Sequence, residues 1–186
     1  MSTVNTLYDE TVTGGFAKLL TVNTVTSNVA SINFTIPSNF DTFWFEVTNV
    51  TFTYAGNDFL IIYASGDGGS TFGSYNMSGL LRLMNNFSGT AQYIGVENVA
   101  WMMPYAFCSA QPLSGRIRMR SAKNLFFWRM EGFGDTYMNH STMGGGRCQT
   151  LAAANTTINF IKFGSYNGGL YKPGSAIRLY GMRTGA

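Results

Sequence analysis

Charge is scarce in this chain: Asp, Glu, Lys and Arg together make up 11% of its 186 residues, against roughly 25% in an average globular protein. Surface polarity must then come from Asn, Thr and Ser, whose short side chains hydrogen-bond but repel little. Such a surface suits a protein packed against neighbours, because charge normally keeps free proteins apart. The net charge of +3 is modest and no block of basic residues stands out, which argues against a nucleic-acid partner. No apolar run approaches the ~20 residues needed to span a bilayer, so no membrane partner is expected. The first residues, MSTVNTLYDE, carry neither a basic nor an apolar segment, so a secretory signal is not expected and folding is assigned to a cytoplasm. In that compartment Cys108 and Cys148 are expected to be reduced and buried. The Asn-x-Ser/Thr triplets, such as those at Asn33 and Asn49, are then by-products of an Asn- and Thr-rich surface.

Catalytic groups are equally sparse. The chain has one histidine, His140, so any site needing two is excluded. It lies between Asn139 and Ser141 beside glycines, a context that reads as an exposed loop. Neither cysteine sits in a nucleophile motif, and no Gly-x-Ser-x-Gly elbow or Gly-rich phosphate loop occurs. Two cysteines and one histidine are too few and too scattered for a tetrahedral zinc site. No cofactor is therefore expected. Paired carboxylates remain the one catalytic option. Glu46, inside an aromatic strand and next to Trp44, is the residue to consider as a sugar-cleaving acid. No partner carboxylate can be assigned to it, and the simpler reading turns Glu46 outward while Phe45 and Val47 turn in. The chain is read as a non-enzyme.

Glycine and aromatic side chains are plentiful: 22 Gly, 15 Phe, 10 Tyr and 3 Trp. Gly14-Gly15, Ala55-Gly56-Asn57, Gly66 to Gly69, Gly144 to Gly146, Gly168-Gly169 and Pro173-Gly174 read as turns or loops. The intervals between them are too short for packed helices and suit strands. Apolar residues alternate with polar ones from Ala30 to Ile36, and Ile117 and Met119 alternate with Arg116, Arg118 and Arg120. Thr157 to Phe160 and Ala176 to Leu179 behave likewise, the pattern of strands with one face in a core. From Thr42 to Tyr54 the apolar positions are first odd (Phe43, Phe45, Val47) and then even (Val50, Phe52, Tyr54). That switch places a β-bulge, a sheet crossing or a tight turn near Thr48-Asn49. The Gly- and Pro-free stretch from Lys18 to Ile36 has near-helical apolar spacing but is rich in Thr, Val, Asn and Ser, which are poor helix formers. It is read as two strands joined near Ser27-Asn28. About ten strands with short turns predict an all-β, two-sheet antiparallel sandwich, most simply a jelly roll. With no repeat or linker in the sequence, residues 1–15 are assigned to an N-terminal arm and residues 16–186 to a single sandwich domain.

Three groups of residues stand out on this frame. Ser65-Gly66-Asp67-Gly68-Gly69-Ser70-Thr71-Phe72 resembles the Asp box, with Phe72 in the final aromatic place. Ser65, Asp67, Gly69, Thr71 and Phe72 then form a structural turn: the Asp accepts backbone N–H groups, the glycines supply positive φ, and the aromatic pins the turn. A calcium site at Asp67 is the sharper alternative, and no second carboxylate lies close in sequence to support it. Arg116, Arg118 and Arg120 line one strand face, either as an edge-protecting solvated surface or as a contact for an acidic partner or anionic glycan. Trp101, Tyr105, Phe107, Phe126, Phe127 and Trp128 could stack on sugars, but aromatics on strands more often fill a core or subunit interface. Phe126 and Trp128 join the arginines as candidate partner contacts.

The order of three segments carries a resemblance: Ser65 to Phe72, Leu113-Ser114-Gly115-Arg116-Ile117-Arg118, and Gly174-Ser175-Ala176-Ile177-Arg178-Leu179-Tyr180-Gly181. Across Ser65 to Gly181 the chain resembles small jelly-roll virion proteins of tailed bacteriophages, namely head decoration (cement) proteins and tail-fibre tips. The resemblance implies a homotrimer on the virion surface. It leaves two roles: a structural protein that binds and stabilises the capsid through the major capsid protein, or a tip module that binds host surface glycan.

Overall fold

The computed structural model describes residues 3–7, 18–40, 42–54, 58–72, 75–76, 80–83, 91–94, 98–99, 112–122, 125–135, 140–149 and 158–182. Their strands are β1 (Thr3–Leu7), β2 (Lys18–Val25), β3 (Ile32–Thr35), β4 (Thr42–Val50), β5 (Leu60–Ser65), β6 (Tyr75–Asn76) and β7 (Leu80–Leu83). They continue as β8 (Ala91–Ile94), β9 (Asn98–Val99), β10 (Leu113–Ala122), β11 (Leu125–Asp135), β12 (His140–Gln149), β13 (Phe160–Ser165) and β14 (Ala176–Met182). Among the described residues there is no helix. One sheet runs β1-β2-β14-β4-β10-β11-β12, a second runs β3-β13-β5, and β6-β9 and β7-β8 form two small pairs.

The sandwich lies where β2-β14-β4-β10 faces β3-β13-β5. In chain order β2, β3, β4, β5, β10, β13 and β14 alternate between the two sheets. This sheet-to-sheet alternation is the Greek-key winding of a jelly roll. The all-β sandwich expected from alternation is therefore the observed fold. The Lys18–Ile36 stretch forms two strands, and its bend at Thr26-Ser27 carries the chain from one sheet to the other.

Between the sheets, Phe45 of β4 meets Phe34 of β3 and Phe163 of β13 edge-on, with ring centroids 5.1 and 4.8 Å away. Phe43, Ile117, Ile177, Leu179, Leu60 and Ile62 complete a fully buried layer around them. Such edge-to-face aromatic contacts add to the area each ring removes from water. A polar tie crosses the same layer, from the buried Asn23 side-chain amide of β2 to the Asn33 carbonyl of β3 at 3.0 Å.

The parity switch in β4 is a β-bulge. Leu113 pairs with Val50 but Gly115 pairs with Val47, so Thr48 and Asn49 together oppose one residue of β10. Asn49 takes a φ of 51° and its N–H donates to the Ser114 hydroxyl at 3.1 Å. Asn tolerates the left-handed region better than most residues. With the extra residue absorbed, Phe43, Phe45, Val47, Val50 and Phe52 all reach the core.

Three local expectations are corrected. The alternation from Thr157 to Phe160 places Ile158 and Phe160 together, but the strand starts at Phe160 and its core residues are Ile161 and Phe163. Phe160 turns to the other face, where its ring lies 2.9 Å from the point a Gly69 Cβ would occupy. Gly144 to Gly146, read as a turn, lie inside β12, paired with Met130, Arg129 and Trp128. A register shift between Met130 and Phe133 sits beside Gly144, and glycine within a strand commonly marks such an irregularity. His140 is the first residue of β12, opposite Asp135, and not a loop residue.

Candidate functional site

Alternation in β4, β10 and β14 sends one set of side chains to the core and the other to the outer face of the large sheet. Ile117 and Met119 are buried, whereas Arg116, Arg118 and Arg120 are exposed. In β14, Ile177 and Leu179 point inward and Arg178 and Tyr180 outward; in β4, Trp44 and Glu46 share that outer face. Pairing sets these residues in rows. Glu46 lies between Arg116 and Arg178, and Trp44 lies between Arg118 and Tyr180.

Within the rows the side chains hold one another. Arg116 Nη2 donates to Glu46 Oε1 at 2.8 Å, and the Tyr180 hydroxyl donates to Glu46 Oε2 at 3.1 Å. Burial, the Glu46 charge and this hydrogen bond together raise the Tyr180 pKa above its usual value. The Tyr180 and Trp44 rings stack with centroids 5.3 Å apart and an interplanar angle of 13°. From the β10 side, the Arg116 guanidinium carbon lies 5.8 Å from the Trp44 ring centre. Arg178 Nη1 donates to Thr48 Oγ1 at 3.0 Å. The indole N–H of Trp44 is buried with no hydrogen-bond partner. Arg118 and Arg120, opposite Trp44 and Thr42 in the ladder, are exposed.

This arrangement uses Glu46 as a clamp. Both of its oxygens are engaged, one by a cation and one by a phenol, and they fix the planar groups of three strands. Sequence reading singles out Arg116, Arg118, Arg120 and Glu46 but misses Trp44, Arg178 and Tyr180 as members of the same surface. The outward parity of β4 and β14 was available as a signal. Which strands lie side by side was not. Phe126 and Trp128 lie in β11, next to β10, and their side chains fall outside the described residues, as do Trp101, Tyr105 and Phe107.

The Ser65–Phe72 turn forms a second group of predicted residues. The Ser65 hydroxyl donates to Asp67 Oδ1 at 2.5 Å and accepts the Gly69 N–H at 3.0 Å. Thr71 donates its N–H to Asp67 Oδ1 at 2.9 Å and its hydroxyl to Asp67 Oδ2. These bonds, those from Ser65 and Thr71 above all, hold the Asp67 carboxyl well below the usual carboxylate range. Gly68 and Gly69 take φ values of 77° and 91°. Phe72 lies against Tyr63 and Phe160 on the outer side of the small sheet, and Lys162 Nζ sits 4.4 Å from the Tyr63 ring centre and 4.2 Å from that of Phe72. The carboxylate of Asp67 is thus spent on its own loop. Among the described residues no three His, Cys, Asp or Glu side chains gather as a metal site would need.

A related turn closes β13, at Ser165-Tyr166-Asn167-Gly168-Gly169. The Ser165 hydroxyl donates to Asp58 Oδ2 at 2.5 Å and accepts the Gly169 N–H at 2.7 Å. Asp58 is fully buried and its Oδ1 also accepts the N–H groups of Phe59 and Asn167, at 2.8 and 3.0 Å. The two turns share Ser-x-Asp/Asn-Gly-Gly. In the second the acceptor carboxylate comes from the neighbouring strand's entry and not from the turn itself.

No protein-family model matches the chain, and no curated protein matches its sequence. Among solved structures it is similar to the CBM2 module of the evolved Dit of Lactobacillus casei BL23 phage J-1. The identity is 10%, over 89% of this chain and 78% of that one, with a TM-score of 0.29. A likeness at that level assigns neither fold nor ligand.

Proposed function

We propose that this chain is a non-enzymatic structural protein of a tailed-bacteriophage virion, a head decoration or cement protein that binds the major capsid protein as a homotrimer. The observation that carries the reading is the outer face of the large sheet. Its aromatic, arginine and glutamate side chains are fixed by one another across β10, β4 and β14. A surface ordered in advance loses little side-chain entropy on contact, which favours a static interface. Two of the three segments that carry the virion-protein resemblance, Leu113 to Arg118 and Gly174 to Gly181, supply strands on either side of β4 in this sheet. Low overall charge and the engagement of Glu46 in a clamp agree with a contact role and not a catalytic one.

The other role implied by the resemblance, a tail-fibre tip that binds host surface glycan, would draw on the same arginines and aromatics. Copy number separates the two. Quantitative mass spectrometry of purified virions is expected to find hundreds of copies per particle, with particles lacking the protein losing their genome at a lower temperature. A handful of copies, with glycan binding by the isolated protein, would place it at the tail instead.

A further inference from the structure

We propose that the outer face of β14, β4 and β10, centred on Arg116, Trp44 and Tyr180, docks onto an acidic surface of a different protein. This inference rests on the virion reading and names the chemistry of the partner. The first observation is the stack. Trp44 is flanked on the β14 side by the Tyr180 ring and on the β10 side by the Arg116 guanidinium. A sugar ring stacks on an open aromatic face, whereas here the Tyr180 ring stacks on the indole and the Arg116 guanidinium stands 5.8 Å from its centre. What the stack presents outward is ring edges and guanidinium N–H groups, which suit carboxylates and backbone carbonyls.

The second observation is charge. Across β14, β4 and β10 the face carries Arg116, Arg118, Arg120 and Arg178 against Glu46, which is already engaged by Arg116 and Tyr180. On the neighbouring β11, Glu131 and Arg129 stand opposite Arg116 and Arg118 in register, so cations still outnumber carboxylates along these rows. Arg118 and Arg120 are exposed. Complementary potential steers association and selects partners. A two-fold contact with a second copy would set the same arginines against each other, a repulsive arrangement, so a second copy does not fit this face. The third observation is the buried Trp44 indole N–H, a donor with no acceptor. Buried donors are nearly always satisfied, so this orphan donor marks a place on the face where an acceptor is lacking.

The test uses the full-length protein and its R118E/R120E variant, with virions purified from phage lacking the gene as the probe and co-sedimentation as the readout. Both residues point away from the core, so thermal melts of the two proteins are expected to agree. Wild type is expected to bind the particles with an affinity that falls as salt rises, and the variant to bind at least about tenfold more weakly. Conversion of the particles' surface carboxylates to amides is expected to reduce wild-type binding to the level of the variant. Equal binding by variant and wild type would leave the virion reading intact and overturn the acidic-face inference. Arginine-dependent binding to heparin beads but not to particles would overturn both in favour of an anionic glycan. Self-association of the isolated protein that R118E/R120E abolishes would assign the face to a second copy.

Discussion

Asp67 illustrates how completely one carboxylate can be used within eight residues of chain. Ser65 and Thr71 bond to the charged form, so the folded pKa lies below the ordinary 3.8. A carboxylate depressed in this way contributes stability that is complete above the unfolded value and is lost as pH falls through the folded one. Asp67→Asn is therefore expected to melt at a lower temperature than wild type at neutral pH, with a constant gap down to about pH 5. The gap should close only below 3.8, which melts across the acid range would follow; a gap independent of pH would mean the charge contributes nothing. This turn was legible in the sequence because its donors and acceptors are near neighbours in the chain. Asp58 was not legible. Its hydroxyl partner, Ser165, is 107 residues away, and no local pattern around Asp58 announces a buried carboxylate.

At the scale of elements, alternation located β3, β10 and β14 and assigned their core faces, because a strand with one face in a core can be read with period two. The same reasoning found the irregularity in β4 without choosing its kind. Left-handed backbone at Asn49 resolves that choice, and it gives a paired prediction. Asn49→Val, a β-branched residue forced to positive φ, should cost about 1–2 kcal/mol in urea unfolding, while Asn49→Gly should change stability by less than about 0.5 kcal/mol. Equal losses in both variants would show that the side chain, not the backbone, maintains the bulge. Periodicity failed where a residue serves something other than the core. Phe160 follows the apolar rhythm of its neighbours yet leaves the core to cover Gly69 and meet Phe72. The glycines of β12 carry turn chemistry in sequence but lie in a ladder fixed by β11, a constraint that exists only once the sheet is assembled.

Among the described residues, seven strands alternating between two sheets bury the aromatic layer and turn Trp44, Glu46, Arg116, Arg178 and Tyr180 to the outer face of the larger sheet. The sequence supplied each arginine and aromatic of that face singly. Their union depends on β14 and β10 both pairing with β4, long-range neighbours that no local pattern reveals. The clamp of Glu46 and the stack of Arg116, Trp44 and Tyr180 follow from that pairing alone. In the proposed role, this face attaches the protein to a phage head. A reconstruction of the intact virion, at a resolution that separates the two sheets, tests it most directly. Jelly-roll density on the outside of the head is predicted, with the β2-β14-β4-β10 sheet turned toward the capsid. Density confined to the tail, or a head-bound molecule with that sheet facing solvent, would contradict the account.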